Sequence, residues 1–269
     1  LAALTSRQVA ALSTAQLASL QADELAAMGT AQFVAMTTAQ LAALTTDQAA
    51  ALQSDDVAAL SVAQLRALTP DTIANLSDSV IAGLTTQQAG ALSNAQLAEL
   101  SDAQIAALET RDVAALGLPQ VAALSQAQLQ AMSTAQLAAF TSRQVGVLTT
   151  AQIGALAPES LAALGTQQYT GLTTAQIAAI STLQASGLET ADLAALTSTQ
   201  LRAFSNDATA ALSTGAIAGL SGTQLASLRT DQIAALRDEQ VSGIASEDIA
   251  SLTTAQLAAL SNAQIDALG

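Results

Sequence analysis

Serine, threonine and the acidic residues are the side chains of this sequence that offer reactive groups in number. A hydroxyl becomes a nucleophile beside a base that removes its proton, and the usual bases are histidine and lysine. The 269 residues contain no histidine, lysine, cysteine or tryptophan, so thiol chemistry and imidazole metal ligands are excluded as well. We therefore predict that the protein is not an enzyme, with no catalytic residues, no cofactor and no metal.

Adjacent acidic residues raise a second possibility, a cation site or a general acid and base. The pairs are Asp23 with Glu24, Asp55 with Asp56, and Glu247 with Asp248. Calcium takes about six to eight oxygen ligands from a shaped loop, and no such loop is visible around these pairs. Their spacing fits the first turn of a helix, where acids stabilise the positive end of the helix dipole. We predict that electrostatic role for them.

The element that positions these residues is an eight-residue repeat, present in 33 consecutive copies from Thr5 to Leu268 without insertion or deletion. Clear copies are Thr37–Leu44, Thr173–Ile180 and Thr253–Leu260, of which the first reads TTAQLAAL. Position 1 is Ser or Thr in 22 copies, and position 4 is Gln in 23. In this spacing the hydroxyl accepts from the amide of position 4, and the Gln reaches back to the amide of position 1. The pattern predicts a capped helix start in every repeat.

The remaining positions indicate the same helix start. Position 8 is a large apolar residue in every copy and position 5 is usually Leu, Ile or Val, as in a hydrophobic staple. Pro70 and Pro158 fall at the first helical residue and Pro119 at the second, where a missing amide hydrogen is tolerated. Of the 21 acids, 17 lie at positions 2 to 4, within the first helical turn.

A single long helix and a β-solenoid are the alternatives. In a continuous helix an eight-residue step turns about 80° past two full turns, so the large residues circle the axis and form no stripe. In a strand the spacings of three and five place them on opposite faces, and alanine has little strand preference. We therefore predict an all-α fold: an α-solenoid, or superhelical coil, of helices of one to two turns. It has one helix per repeat and an axial core of Leu, Ile and Val, and the small residues at positions 6 and 7 let backbones approach closely.

This fold assigns roles to individual residues. Phe33 and Tyr169 replace the aliphatic residue of position 5, so both are predicted to be core residues, with the tyrosine hydroxyl directed outward. A charge at Leu44 is expected to be far more harmful than Gln40→Glu, because unpaired buried charge is costly. Asn75 begins a glycosylation sequon but lies at position 7, near the packed side, and no modification is predicted.

Residues 1–269 are predicted to form one uninterrupted array, with repeats at 5–268. Residues 1–4 read as the second half of a repeat, so we expect a fragment of a longer array. The net charge of −14 opposes binding to nucleic acid and to anionic membranes. Polar residues interrupt the apolar ones well before the about 18 residues that a membrane span needs, so no membrane insertion is predicted.

Octapeptides such as Leu12–Ser19 (LSTAQLAS) and Leu252–Ala259 (LTTAQLAA) resemble repeat tracts in very large bacterial secreted and surface proteins, which are adhesin-like or form appendages. The resemblance covers all 33 copies. It implies an extracellular or cell-surface location in a bacterium, and it implies no catalytic or binding residues.

Two functions fit these observations. The first is structural: a rod, stalk or filament subunit of the bacterial cell surface or extracellular matrix, whose partner is itself through end-to-end or lateral association. The second is an interaction scaffold whose outer surface binds a protein, a glycan or ice. Binding surfaces are rich in aromatic residues and arginine, whereas this chain has four aromatic residues and seven scattered arginines. The composition favours the structural function.

Overall fold

The computed structural model describes residues 1–268, and Gly269 lies outside this range. Over these residues the protein is all-α, with 33 short helices and no strand, so the prediction of very short helices, one per repeat, is confirmed. No helix of the described range has the length and apolarity that crossing a membrane requires. The chain forms two compact units, unit 1 (Leu1–Ala139) and unit 2 (Phe140–Gly269).

Each repeat contributes one helix that begins at its position 2. Unit 1 contains α1 Ser6–Ala10, α2 Thr14–Ala18, α3 Ala22–Ala26, α4 Thr30–Val34, α5 Thr38–Ala42, α6 Thr46–Ala50, α7 Ser54–Ala58, α8 Val62–Ala67, α9 Pro70–Ala74, α10 Asp78–Ala82, α11 Thr86–Ala89, α12 Asn94–Ala98, α13 Asp102–Ala107, α14 Thr110–Ala114, α15 Leu118–Ala123, α16 Gln126–Ala131 and α17 Thr134–Ala138. Unit 2 contains α18 Ser142–Gly146, α19 Thr150–Ala155, α20 Pro158–Ala162, α21 Thr166–Gly171, α22 Thr174–Ala178, α23 Thr182–Ser186, α24 Thr190–Ala195, α25 Ser198–Leu201, α26 Asn206–Ala211, α27 Thr214–Ala218, α28 Gly222–Ser227, α29 Thr230–Ala234, α30 Asp238–Ser242, α31 Ser246–Ile249, α32 Thr254–Ala259 and α33 Asn262–Asp266.

The corner between successive helices is made by extended residues. Position 1 is extended, as at Thr37 (φ −73°, ψ 158°), and position 8 is extended where the helix has six residues, as at Leu68 (φ −61°, ψ 135°). No residue of the described range has a positive φ. The chain therefore turns without the left-handed conformation that favours glycine, and ordinary Leu, Ser and Thr residues can occupy every corner.

Capping stabilises helices that are too short to persist alone. The Thr37 hydroxyl accepts from the backbone amide of Gln40 at 3.2 Å, and the side-chain oxygen Oε1 of Gln40 accepts from the backbone amide of Thr37 at 2.7 Å. Pro70 and Pro158 are the first residues of their helices, where no hydrogen bond is lost. The predicted helix starts are confirmed.

Packing buries positions 5 and 8, as predicted: Leu41 is fully buried and Leu44 is 6% exposed. Within each unit, a helix contacts the helix that comes three places after it in the chain, for example α5 with α8 and α18 with α21. Backbones meet at the small residues of positions 6 and 7. A Cβ atom on Gly146 would lie 2.9 Å from the Gly171 carbonyl oxygen. The predicted close approach is confirmed at this pair.

Candidate functional site

The most regular polar feature of the structure is a set of buried glutamines at position 4, which we call the glutamine ladder. In unit 1 it comprises Gln32, Gln40, Gln48, Gln64, Gln88, Gln96, Gln104, Gln120, Gln128 and Gln136. In unit 2 it includes Gln168, Gln176, Gln184, Gln200, Gln232, Gln240, Gln256 and Gln264. Full burial of a primary amide is tolerated when its donors and acceptor are all satisfied.

Gln40 shows the geometry of one ladder residue. Its Oε1 accepts from the amide of Thr37 in its own repeat. Its Nε2 donates to the carbonyl oxygens of Val9 and Leu12, each at 2.8 Å, which lie 31 and 28 residues earlier. Only 2% of the residue is exposed. One side chain thus caps its own helix and binds the end of the helix four repeats before it.

The acceptors of the ladder are carbonyls at the end of a helix, where some groups have no partner within the helix. The Val9 carbonyl accepts from the Leu12 backbone amide at 3.1 Å and gains the glutamine as a second donor, whereas the Leu12 carbonyl lies beyond the helix and is bonded by the glutamine. The ladder makes these bonds in both units: Gln104 donates to Ile73 and Leu76, and Gln176 donates to Val145 and Leu148. A buried hydrogen bond of this kind contributes about 0.5–1.5 kcal/mol, and leaving its carbonyl unpaired costs more.

Sequence reasoning assigned the glutamine to the cap and missed its second role. In this geometry Gln40→Glu is itself expected to be harmful, because a carboxylate would face two carbonyl oxygens, and the expected difference from a charge at Leu44 becomes smaller. Gln32, Gln120 and Gln168 occur in repeats whose position 1 is glycine, and each still accepts from the backbone amide of that glycine. Capping therefore accounts for the glutamine in every repeat, and the sequence carries no separate signal of the second role.

Three buried aspartates occupy position 4 in place of the glutamine and use a different bond. Each is at most 5% exposed and accepts from a threonine hydroxyl three repeats earlier. The pairs are Thr30 with Asp56 (2.7 Å), Thr86 with Asp112 (2.8 Å) and Thr166 with Asp192 (3.2 Å). The predicted role at helix starts holds for Glu24, whose Oε2 accepts from the amide at position 1 of its repeat at 2.9 Å. It is incomplete for Asp56, which is also bonded to a distant helix.

Asp112 is the most deeply buried acid of the described residues, with no exposed surface. Its Oδ1 accepts from Thr86, whereas its Oδ2 has no hydrogen-bond partner. Arg111 Nε lies 3.8 Å from Oδ1, but the same guanidinium bonds Glu109 at 2.7 Å and is largely exposed. Burial raises the pKa of Asp112, against the opposing effects of the Thr86 bond and Arg111. Burial likewise raises the pKa of Asp192.

Tyr169 is a core residue, as predicted, but its hydroxyl points inward. The residue is fully buried, and its hydroxyl donates to the Leu161 carbonyl oxygen at 2.7 Å. That carbonyl lies 31 residues before Asp192, in the register at which a ladder glutamine would donate. The tyrosine therefore replaces the donor that Asp192 lacks. Burial raises the pKa of Tyr169, which keeps the phenol protonated as a donor.

The remaining candidate residues form no shared site. Across residues 1–268 no three acidic side chains converge on a point where a metal ion could bind. Asn75 is exposed, which corrects its expected place near the packed side, and its side chain donates to the Asp71 carbonyl at 2.8 Å. The arrangement provides hydrogen bonding between helices that are distant in sequence.

Comparison with known families identifies this pattern. A family model described as the ALTTAQ repeat matches residues 18–54, 49–86, 121–158 and 185–222, which together make up more than half of the chain. Each match spans more than four octapeptides, the separation that one ladder bond covers. Comparison with curated proteins gives no match. The chain belongs to the ALTTAQ repeat family.

Proposed function

We propose that this chain is a non-catalytic structural protein, a fibre- or stalk-forming segment of the bacterial cell surface or extracellular matrix. The observation that carries the proposal is the glutamine ladder, which repeats one contact along both units. A catalytic or binding site breaks such regularity at one place, whereas a rod or stalk needs the same contact everywhere. The extracellular location follows from the resemblance to repeat tracts of bacterial surface proteins.

The architecture that we propose is an α-solenoid with between three and four repeats per turn. Two observations support this number: within each unit, a helix contacts the helix three places later in the chain, and a ladder glutamine binds the repeat four places earlier. Positions 5 and 8 of the turns in one unit then form its core of Leu, Ile and Val. Contacts between successive turns supply the stability that the single helices lack.

Self-association is the second part of the proposal. We call the repeats of one turn of the solenoid a layer. A layer presents the side-chain amides of its glutamines on one side, and backbone carbonyls together with position 5 side chains on the other. Where no layer covers them, these groups are accessible: Gln8 and Gln16 are exposed, and Leu257 and Ile265 are 37% and 45% exposed. Two copies can therefore join through the contact that already joins repeats, in a head-to-tail association that propagates.

The scaffold alternative receives less support. Arginines are the residues expected to anchor a partner, but several are used internally. Arg229 donates to the carbonyls of Arg202 and Phe204 and to Asn206, and Arg237 donates to the Leu212 carbonyl. Their side chains stabilise helix ends instead of presenting a free binding surface.

Light scattering and electron microscopy test the proposal on the full chain. We expect the mass to grow with concentration and regular fibres to appear. The double change Leu257→Glu with Ile265→Glu should abolish growth, because it places charge on the carbonyl side of a layer. Leu183→Glu is the matched control, because Leu183 is 67% exposed but lies in α23, away from the last two helices. It should leave the growth of the fibres unchanged. A stable monomer at high concentration would contradict self-association and favour the scaffold.

A further inference from the structure

Among residues 1–268, the Oδ2 atom of Asp112 is the buried side-chain oxygen that lacks a hydrogen-bond partner. The residue has no exposed surface, so water does not compensate for the missing bond. An ionised carboxylate in this state is costly, because Thr86 bonds Oδ1 but no group replaces the lost hydration of Oδ2.

The register of the ladder identifies what surrounds the missing bond. One repeat before Asp112, Gln104 Nε2 donates to Ile73 and Leu76; one repeat after it, Gln120 Nε2 donates to Ala89 and Leu92. The corresponding carbonyls for Asp112 are those of Ile81 and Leu84. An acceptor therefore stands where its neighbours have a donor.

The charges nearby do not neutralise the carboxylate. Glu109, at the N-cap position of the helix of Asp112, adds negative charge, and the Arg111 guanidinium lies closer to the Glu109 carboxylate (2.7 Å) than to that of Asp112 (3.8 Å). The helices that pack against α14 within unit 1, α11 and α17, carry no charged residue. Asp78, at the start of α10, adds a further negative charge to the helix that lies four repeats before Asp112.

We propose that Asp112 is a proton-binding site, at which the protonated carboxyl takes the place of the ladder amide. The hydroxyl of the protonated acid donates from Oδ2 to the carbonyl of Ile81 or Leu84, while Oδ1 continues to accept from Thr86. Protonation thus completes the bond between repeats four apart, and ionisation opens it. Unit 1 contains a contact between layers that depends on pH.

A related site in unit 2 also has an aspartate in place of the ladder glutamine, but there another residue supplies the missing donor. The repeats Glu109–Leu116 (ETRDVAAL) and Glu189–Leu196 (ETADLAAL) have the same Glu and Asp spacing, and each Asp accepts from a threonine three repeats earlier. In unit 2 the Tyr169 hydroxyl supplies the donor to the Leu161 carbonyl. Unit 1 has Ala89 in the place of that tyrosine, so this position offers no hydroxyl donor there, and we assign the donor to protonated Asp112.

The test compares the full chain with Asp112→Asn, whose amide resembles the protonated acid. Urea melts are measured from pH 3 to 8. Asp112→Gln is a second variant, which restores the glutamine that most repeats have at position 4. The folded protein binds the proton more tightly than the unfolded chain, so the wild type loses stability as pH rises through the folded pKa. We expect equal urea midpoints below about pH 3.9 and a growing advantage of Asp112→Asn above it. The exposed first-turn acid change Asp102→Asn should show no such advantage.

A direct readout is the carboxyl carbon signal of Asp112 in the chain labelled with ¹³C-aspartate, assigned by its loss in Asp112→Asn. We expect it to titrate above the range of exposed aspartates. Titration within that range, or urea midpoints that stay parallel across pH, would overturn the proposal. Stabilisation of the wild type, but not of Asp112→Asn, by calcium or sodium ions would also overturn it in favour of a bound cation.

Discussion

At the scale of single residues, Gln40 joins two helices through the two ends of one amide. Gln40→Glu keeps an oxygen for the Thr37 amide but removes both bonds to Val9 and Leu12 and places negative charge against their carbonyls. We expect a loss of roughly 2–4 kcal/mol in the free energy of unfolding. Urea melts measure it.

Gln8→Glu is the matched control for that change. Gln8 caps Thr5 in the same way, at 2.8 Å, but it is exposed. Its replacement by an acid keeps the capping oxygen in water, so we expect a change of less than about 0.5 kcal/mol. Equal losses for Gln8→Glu and Gln40→Glu would show that the bonds between repeats contribute nothing to stability.

Tyr169 and Asp192 are coupled through a shared carbonyl, that of Leu161. Tyr169→Phe removes the side-chain donor and leaves that buried carbonyl with the backbone bond from Leu164 alone, so we expect a loss of about 0.5–1.5 kcal/mol. In an Asp192→Gln background the new amide can donate to the same carbonyl, and the loss should shrink. A double-mutant cycle from urea melts measures the coupling. Additive effects of the two substitutions would contradict a common acceptor.

These residue-level features lie beyond what the sequence predicts, for a physical reason. An octapeptide with Ser or Thr at position 1 and Gln at position 4 identifies its own cap, because both partners lie within three residues. The partners of Gln40 Nε2 lie about 30 residues away, and all repeats offer nearly identical carbonyls. Periodic sequence gives no information on which repeat pairs with which, so the direction of the Tyr169 hydroxyl and the environment of Asp112 were also hidden.

At the scale of the helix, the glycines at positions 6 and 7 differ in how closely the backbone of a neighbouring helix approaches them. Gly171, at the end of α21, lies so close to the backbone of Ser142 that an added Cβ would overlap the Ser142 carbonyl oxygen. Gly154, inside α19, would place a Cβ at 3.6 Å from the Ala179 carbonyl oxygen, an ordinary contact. The same substitution should therefore have opposite signs at the two positions.

We expect Gly171→Ala to cost roughly 1–3 kcal/mol, because two backbones must move apart. Gly154→Ala should stabilise by about 0.5–1 kcal/mol, because alanine loses less conformational freedom in a helix. Thermal and urea melts of the two single variants measure the difference. Stabilisation by both would show that helices three repeats apart are not held at backbone contact.

At the scale of the whole chain, helix starts, helix lengths and core positions could be predicted because they are encoded once per repeat. Thr37, Leu41 and Leu44 illustrate this, since each has the role that its position in the octapeptide indicates. The period of contacts was not encoded locally, since it depends on how position 5 and 8 side chains fill the space between helices. Stability is therefore expected to be a sum over repeats and their neighbours.

Equivalence of the repeats makes deletions a sharp test of this organisation. Removing Ser125–Met132, one whole repeat of unit 1, shifts every later glutamine by eight residues, so Gln136 meets the carbonyls of Leu97 and Leu100 that Gln128 bound before. We expect the circular dichroism of a fully helical protein and a urea midpoint close to that of the wild type. Removing only Ser125–Gln128 deletes half as many residues but places apolar residues where amides belong. We expect it to lose helicity and cooperativity. If the half-repeat deletion were tolerated as well as the whole one, the regular pairing of each repeat with the fourth before it would be refuted.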